Sequence, residues 1–297
     1  MENKRVECQS TCCAVVVTYN PSPDVLENVR LLGGQVGHVV VVDNTAASKD
    51  PAVLHQVEQL EACTVLRNRS NLGIATALNL GIRHAIALGF PWIITFDQDS
   101  RVPEGYMEAM FATYRQAAGH CRVGMLCPRY RDPRLDVFLY TSRAASGNVL
   151  ACMTSGSMFQ AATFQQFGPM EDDFFMDYVD HEFCLRLRAA GFQIIQCPNA
   201  VLAHSLGRIT QHRLLGKPYT TTNHSAKRRY YITRNRLVLI RRYYSIDRAW
   251  AMGELKGLFV ETIKILLAEQ DKLSKARYIC LGIYDALRFR MGPRVSL

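Results

Sequence analysis

Short apolar runs that each break off into a polar pair, and then give way to a helical pattern, constrain this chain more than any other feature. Cys13–Thr18 runs into Tyr19-Asn20-Pro21, where the proline stops a strand. His38–Val42 runs into Asp43-Asn44, and Trp92–Phe96 into Asp97-Gln98-Asp99. A fourth, shorter run, Thr64–Arg67, precedes Asn71-Leu72-Gly73. Helical spacing fills the intervals over Asp24–Leu32, Pro51–Leu60 and Ile74–Leu88. Strands that alternate with helices predict a largely parallel α/β sheet. Such sheets bind ligands beyond the carboxyl ends of their strands. The three polar pairs therefore predict one common crevice.

Asp97 and Asp99 sharpen that prediction. Residues i and i+2 leave a strand on the same face, so both carboxylates reach one point. Two anions held that close repel unless positive charge lies between or beside them. A hard divalent cation that also touches substrate phosphates would supply it. Fourteen aspartates in 297 residues make one such pair unsurprising by chance, and a solvated turn accounts for it equally well in isolation. Its position at a strand end favours the ligand site.

Two further clusters lie in the middle of the chain. Thr154-Ser155-Gly156-Ser157 is a turn of small residues that suits the close approach of a hydroxylated ligand, although a plain loop has the same composition. Asp177, Asp180 and Glu182 crowd the start of a helix predicted over Phe183–Ala190. Acidic residues stabilise a helix N-terminus, but three of them beside Phe174, Phe175 and Tyr178 exceed that need. A carboxylate against aromatic walls is how a general base is held and tuned. Phe192–Cys197 and Ala200–Ala203 then read as a pair of strands ending at His204.

From Ser205 onward 19 Lys and Arg face 6 Asp and Glu, so the last third carries +13 and the remainder −4. Such asymmetry implies an anionic partner there, whether diphosphate, membrane surface or nucleic acid, unless it is only a solvated face. This third reads as helical. Arg228, Tyr231 and Asn235 fall near one another at helical spacing. Trp250, Leu255, Leu258, Phe259, Ile263, Leu266 and Leu267 follow an amphipathic pattern, which predicts packing against the body, with docking on a membrane surface as the alternative.

Composition sets the remaining bounds. No apolar run reaches the 18 or so residues of a membrane span, and the first residues lack the apolar stretch of a signal peptide. Both predict a cytoplasmic protein. The ten cysteines are scattered without a Cys-x-x-Cys pair, which predicts buried reduced thiols and no zinc site.

Taken together, Val17-Thr18-Tyr19-Asn20-Pro21, Val42-Asp43-Asn44, Asn71-Leu72-Gly73-Ile74-Ala75, Phe96-Asp97-Gln98-Asp99-Ser100, Ser155-Gly156 and Phe175–Glu182 resemble the family 2 inverting glycosyltransferases. His204 and Arg229–Asn235 extend the resemblance, which covers about residues 12–242 in consistent order. The Asp-Gln-Asp-Ser-Arg and Asp-x-x-Asp-x-Glu forms are similar to the bacterial rhamnosyltransferase branch. The resemblance implies a GT-A fold: a Rossmann-like, mixed but mainly parallel sheet with a helical, basic C-terminal extension. It implies an N-terminal tail over 1–11, a catalytic domain over 12–207 and the basic region over 208–297. The nucleotide-sugar half of that domain would span about 12–100 and the acceptor half about 101–207.

The resemblance also implies roles. Thr18, Tyr19 and Asn20 would line the nucleotide pocket, Asp43 would hydrogen-bond the pyrimidine, and Asn71, Gly73 and Asn79 would shape the loop and helix beside it. Asp97 and Asp99 would meet the nucleotide diphosphate through magnesium or manganese, with Asp99 the more direct ligand and His204 beside them. Asp180 matches the catalytic base. Val179 stands where the family more often has Glu, so Asp177 and Glu182 enter as compensating carboxylates on the acceptor side, with Ser155 and Gly156. Arg229, Tyr231 and Arg234 would assist the diphosphate. The implied donor is dTDP-β-L-rhamnose and the implied acceptor a glycan or lipid-linked glycan, with peripheral contact at the inner membrane and no nucleic acid. Two alternatives stay open. One keeps the fold and uses a UDP-sugar for glucosyl, galactosyl or N-acetylglucosaminyl transfer. The other is a nucleic-acid-binding module on the basic helices, which leaves the strand-end carboxylates unexplained.

Overall fold

A computed structural model of the chain describes residues 10–47, 52–132, 136–139, 142–143, 149–203, 209–214 and 217–295. The chain divides into two compact units. The first runs to Asp172 and resumes over Asp180–His204; the second comprises Asp173–Val179 and everything from Ser205. The insertion of 173–179 into the second unit has no signature in composition.

In the first unit the chain forms β1 (Cys12–Thr18), α1 (Asp24–Gly33), β2 (His38–Asp43), α2 (Ala52–Val57), β3 (Cys63–Arg67), α3 (Ile74–Ala87), β4 (Trp92–Asp97), α4 (Tyr106–Ala118) and β5 (Val123–Asp132). There follow the short strands β6 (Val137–Phe138), β7 (Ser142–Arg143), β8 (Val149–Ala151) and β9 (Ser157–Gln160), then α5 (Ala161–Phe167), α6 (Val179–Ala189) and β10 (Gln193–Ala203). Strand order is β3-β2-β1-β4-β9-β5-β10-β8-β7, with β6 paired to β5. The pairs β3-β2, β2-β1 and β1-β4 are parallel, while β9 enters antiparallel between β4 and β5. The sheet is therefore mixed and mostly parallel.

β1 is buried along its whole length and β2 nearly so, which is why both read as continuous apolar runs without alternation. On one face Cys12, Ala14 and Val16 pack with Val25, Val29 and Leu32 of α1 and with Met107 and Met110 of α4. On the other face α3 lies so close that a Cβ at Gly81 would collide with the Val15 side chain. Backbone approach of that kind needs glycine, and it fixes α3 against β1. Among the described residues the cysteines are free thiols, six of them buried.

One expected element differs. Phe192–Cys197 and Ala200–Ala203 are not two strands but the single strand β10, whose parallel pairing with β5 shifts register between Gln196 and Val201. Pro198 lies in that interval. Lacking an N–H, it breaks the ladder locally, and the strand bulges rather than turns.

The second unit contains the hairpin of β11 (Thr210–Leu214) and β12 (Lys217–Thr221), absent from the helical reading of this third, and then α7 (Ala226–Tyr243), α8 (Arg248–Ala268) and α9 (Lys272–Leu287). Ser225 caps α7, its Oγ accepting from the Arg228 N–H at 3.3 Å. α8 departs from the expected packing. It buries Trp250, Ala251 and Ile265 but exposes Leu255, Phe259, Ile263, Leu266 and Leu267. A helix with apolar residues on more than one side has more apolar face than its neighbours cover. Among the described residues no helix is long and apolar enough to cross a membrane.

Candidate active site

The carboxyl ends of β2, β1 and β4 bring three sequence-predicted residues into line. Thr18 stands opposite Asp43 in the β1-β2 register, and Val17 opposite Asp97 in β1-β4. Thr18 Oγ1 donates to Asp43 Oδ1 at 2.7 Å, and Thr45 donates to the same carboxylate through Oγ1 at 2.8 Å and N–H at 3.2 Å. These bonds fix the Asp43 carboxylate, itself almost fully buried, and leave unfilled acceptor positions on it. Tyr19 and Asn20 project at the rim, both exposed, with Asn20 in the left-handed region at φ +47. Asn20 N–H donates to Thr45 Oγ1 at 2.8 Å. Thr45 thus organises this edge, although in the sequence it is only the residue after a polar pair.

Asn71 and Gly73 shape the neighbouring loop. The Gly73 N–H donates to Asn71 Oδ1 at 3.0 Å, and the Gly73 carbonyl accepts from Asn44 Nδ2 at 3.0 Å. Gly73 has φ +85 at the start of α3, a conformation a side chain would oppose. Asn79 departs from its expected place beside a nucleotide. It is fully buried, with Nδ2 donating to the Met170 carbonyl at 2.7 Å and to Asp172 Oδ1 at 2.8 Å, so it reaches no ligand and ties α3 to residues 170–172.

The segment carrying Asp97 and Asp99 is held from two sides. From one side Gln98 Oε1 accepts from the Tyr19 N–H at 2.8 Å, and the Gln98 carbonyl accepts from Asn28 Nδ2 at 3.0 Å. From the other, the Asp97 N–H donates to Ser155 Oγ at 3.2 Å, and Ser155 and Ser100 share a hydroxyl hydrogen bond at 2.5 Å. Ser155 and Gly156 are buried within this clasp, so the expectation of direct acceptor contact meets a different geometry. Gly156 has φ +77, and a Cβ there would lie 2.6 Å from the Tyr106 hydroxyl. Its role is to let the turn close on β4. Gln98 and Ser100 are the positions sequence reasoning passed over. Both lie inside the motif, but nothing in the sequence gives their partners.

Asp99 is exposed, makes no hydrogen bond or ion pair among the described residues, and lines a cleft of about 310 Å³ with Ser22, Asp24, Asn28 and Arg101. Asp97, two residues before it, is half-buried at the end of β4. An exposed carboxylate in a cleft, with a second two residues before it, suits magnesium or manganese, which take one or two protein carboxylates and fill the rest of their shell with phosphate oxygens and water. No group of three His, Cys, Asp or Glu forms a closed metal cage among the described residues. His204 lies outside them.

Asp180 sits in the first turn of α6 with its side chain 22% exposed. Its Oδ1 accepts from the His181 N–H at 2.8 Å and lies 2.9 Å from His181 Nδ1. No other residue among the described ones bonds its Oδ2. Burial pushes this carboxyl up, but the His181 charge and the hydrogen bonds outweigh burial and hold it below the usual carboxylate range. An ionised, oriented carboxylate with one oxygen open is equipped to take a proton. Glu182, by contrast, is buried and bound to Arg186 at 2.6 Å, so it is not open to an acceptor.

In the second unit the residues expected at a diphosphate are otherwise engaged. Arg229 is buried between Glu261 and Glu269. Arg234 is fully buried and donates to the carbonyls of Gly292, Asp173 and Phe174. Tyr231 is buried, stacks on Phe175 and donates to the Val295 carbonyl at 2.8 Å. Asp177 is held by Arg228 at 2.9 Å. The common purpose is structural. Phe175, Asp177 and Tyr178 all have positive φ, and a left-handed run of non-glycine residues persists only when its surroundings over-determine it. Asn235 Nδ2 donates to the carbonyls of Phe174, Met176 and Asp177 at 3.0, 2.7 and 2.8 Å, supplying much of that constraint.

The family model for glycosyl transferase family 2 matches residues 13–160. The dTDP-rhamnosyl transferase RfbF of Shigella flexneri is 27% identical over 294 residues, covering 94% of this chain and 96% of that protein. The galactofuranosyltransferase GlfT1 of Mycolicibacterium smegmatis is 28% identical over 251 residues, covering 77% of this chain and 82% of that one. Among solved structures, S. aureus TarS 1-349 in complex with UDP-GlcNAc superposes with a TM-score of 0.62 at 11% identity, covering 94% of this chain and 81% of that one. GalNAc-T7 with UDP, GalNAc and Mn2+ gives 0.58 at 13% identity, covering 95% and 58%. At such identities these structures speak to the fold alone, which is that of the GT-A glycosyltransferases. Residues 13–160 of the chain form a glycosyl transferase family 2 domain.

Proposed function

We propose that the protein transfers L-rhamnose from dTDP-β-L-rhamnose to a hydroxyl of a glycan or lipid-linked glycan, with inversion at the anomeric carbon. The observation that carries the enzymatic part is Asp180, ionised and with one open oxygen, in the same unit as the strand-end edge of Thr18, Asp43 and Asp97. The likeness to a dTDP-rhamnosyl transferase along nearly the whole of both chains supports the choice of donor.

An acceptor hydroxyl is a weak nucleophile. Asp180 removes its proton as the oxygen bonds to the anomeric carbon, and the bond from that carbon to the nucleoside diphosphate breaks on the opposite face. One displacement of this kind turns the β-linked donor into an α-L-rhamnoside. Thr18, Tyr19, Asn20 and Asp43 hold the nucleoside, while Asn71 and Gly73 shape the wall beside it. Asp99 and Asp97 would hold magnesium or manganese, whose chemistry is to offset charge on the departing diphosphate. His181 orients Asp180 and keeps it ionised.

The test is a melting panel of dTDP, UDP, GDP and ADP with and without Mg²⁺ or Mn²⁺. Ligands that bind the native state raise its apparent stability by mass action. A metal-dependent shift that is larger with dTDP than UDP, and that loses its metal dependence in Asp99→Ala, is expected. UDP above dTDP would move the donor to a UDP-sugar, and no shift with any nucleotide would overturn the site. The likeness to galactofuranosyltransferases favours keeping a second hexosyl donor class in the panel.

The acceptor reading includes peripheral contact with the inner membrane, where a lipid-linked glycan would be presented. The +13 of the last third is its support in the sequence.

A further inference from the structure

The second unit carries an apolar stripe that nothing among the described residues covers. Met252, Leu255, Phe259, Ile263 and Leu266 of α8 recur at intervals of three and four, which puts them on one side of the helix. All five are exposed, Phe259 to 68%. Leu267 and Leu273 extend the apolar surface across the turn into α9, Leu273 being 89% exposed. Soluble proteins rarely present so continuous an apolar surface without a partner for it.

The charges around the stripe are sorted by sign. The acidic residues of α8 and α9 turn inward. Glu254 and Glu261 pair with Arg236, Glu261 and Glu269 with Arg229, and Asp285 accepts from the Tyr230 hydroxyl at 2.7 Å. Apart from Lys275, buried against Glu269, and the half-buried Lys264, the cations do the reverse, with Arg248, Lys256, Lys272, Arg277, Arg288 and Arg290 all exposed. From 248 to 290, Asp271 is the one exposed acid among the described residues. Outward apolar side chains bordered almost wholly by positive charge fit a surface that is apolar beneath an anionic layer. A second copy of the chain would set like charge against like charge and fits less well.

We infer that α8 lies flat on an anionic lipid bilayer, with Phe259, Ile263 and Leu266 entering the acyl boundary and Lys256, Lys272 and Arg277 meeting the headgroups. A 21-residue helix gives a contact about 31 Å long. The inference rests on the proposed membrane-presented acceptor and adds to it the surface and the lipid charge that deliver the enzyme there.

Flotation of the full chain tests this with vesicles of phosphatidylcholine alone or mixed with about one third phosphatidylglycerol. Binding to the mixed vesicles only, reduced by salt at about 0.5 M, is expected. The double variant Phe259→Glu/Ile263→Glu should lower the partition coefficient at least about tenfold, and Lys256→Glu/Arg277→Glu should lower it on phosphatidylglycerol alone. Both variants should keep the nucleotide-dependent melting shift, which reports folding and the donor site independently of lipid. Equal binding to neutral vesicles, binding indifferent to both variants, or no binding while that shift persists would overturn the inference and leave the donor site standing. So would a doubling of mass in solution that Phe259→Glu abolishes, since a second copy would then cover the stripe.

Discussion

The side chain of Gln98 is hydrogen-bonded to the main chain of Tyr19, its Oε1 accepting from the Tyr19 N–H at 2.8 Å. The residue between the two motif aspartates therefore faces back into the β1-α1 loop and fixes the distance between the rim at Tyr19 and the carboxylates. A spacer in the sequence is a latch in the fold.

Gln98→Ala removes that latch and leaves an N–H without its partner. Loss of one such bond costs about 1 kcal/mol, or somewhat under tenfold. The melting shift with nucleoside diphosphate and Mn²⁺ should shrink and transfer should fall by about that factor, with more of the loss in KM than in kcat. Gln98→Glu keeps an acceptor at the same place and should recover most of the binding. Equal losses in both variants would mean that the bond is not what matters.

Asp180→Asn should leave nucleotide affinity intact and lower transfer by about 10² to 10⁴. Because the folded environment holds this carboxyl below its ordinary range, the competent ionised form persists to lower pH than for a free carboxylate. The acid limb of kcat/KM attributable to Asp180 should accordingly lie at lower pH than an ordinary aspartate would give. His181→Ala removes the charge that does most to hold this carboxyl down, so the limb should move to higher pH.

Stability should also depend on pH through the second unit. Burial, followed by the charge of Arg228, lowers His224 from 6.5 to about 4. Between those values the unfolded chain binds a proton that the folded one does not. Stability is thus fully present above pH 6.5 and falls as pH drops toward 4, by at most about 1.4 kcal/mol per pH unit. Denaturant midpoints at pH 7 and 5.5 should differ more in the wild type than in His224→Gln. An unchanged difference would assign the acid sensitivity to other groups.

Asn235→Ala should be among the more damaging single changes in α7. It leaves the carbonyls of Phe174, Met176 and Asp177 without this donor in a backbone already held at positive φ. A cost of about 3 kcal/mol follows from desolvated, unsatisfied groups. Urea unfolding measures it, and a change below about 0.5 kcal/mol would show that the run holds itself.

Local pattern was enough for some of this protein. The apolar runs at 13–18, 38–42 and 92–96 were legible because residues buried on both faces of a parallel sheet must be apolar without interruption, and the half-buried edge run at 64–67 was legible from its place between two helical patterns. The strand-end polar pairs were legible because a topological rule puts such ends at one edge, and the registers of Thr18 with Asp43 and Val17 with Asp97 set them side by side. The burial of Asn79, Arg229, Tyr231 and Arg234 was not, because a polar residue type names a capacity for hydrogen bonds and not the partner that fills it. Asp180 and Glu182 stand two residues apart with the same chemistry. Only the fold decides that Arg186 closes off one, while His181 orients the other and leaves an oxygen open. In the same way the apolar spacing of α8 stated that a face existed. Whether a neighbour covers that face depends on where the chain comes to lie, and among the described residues the tertiary structure leaves it bare.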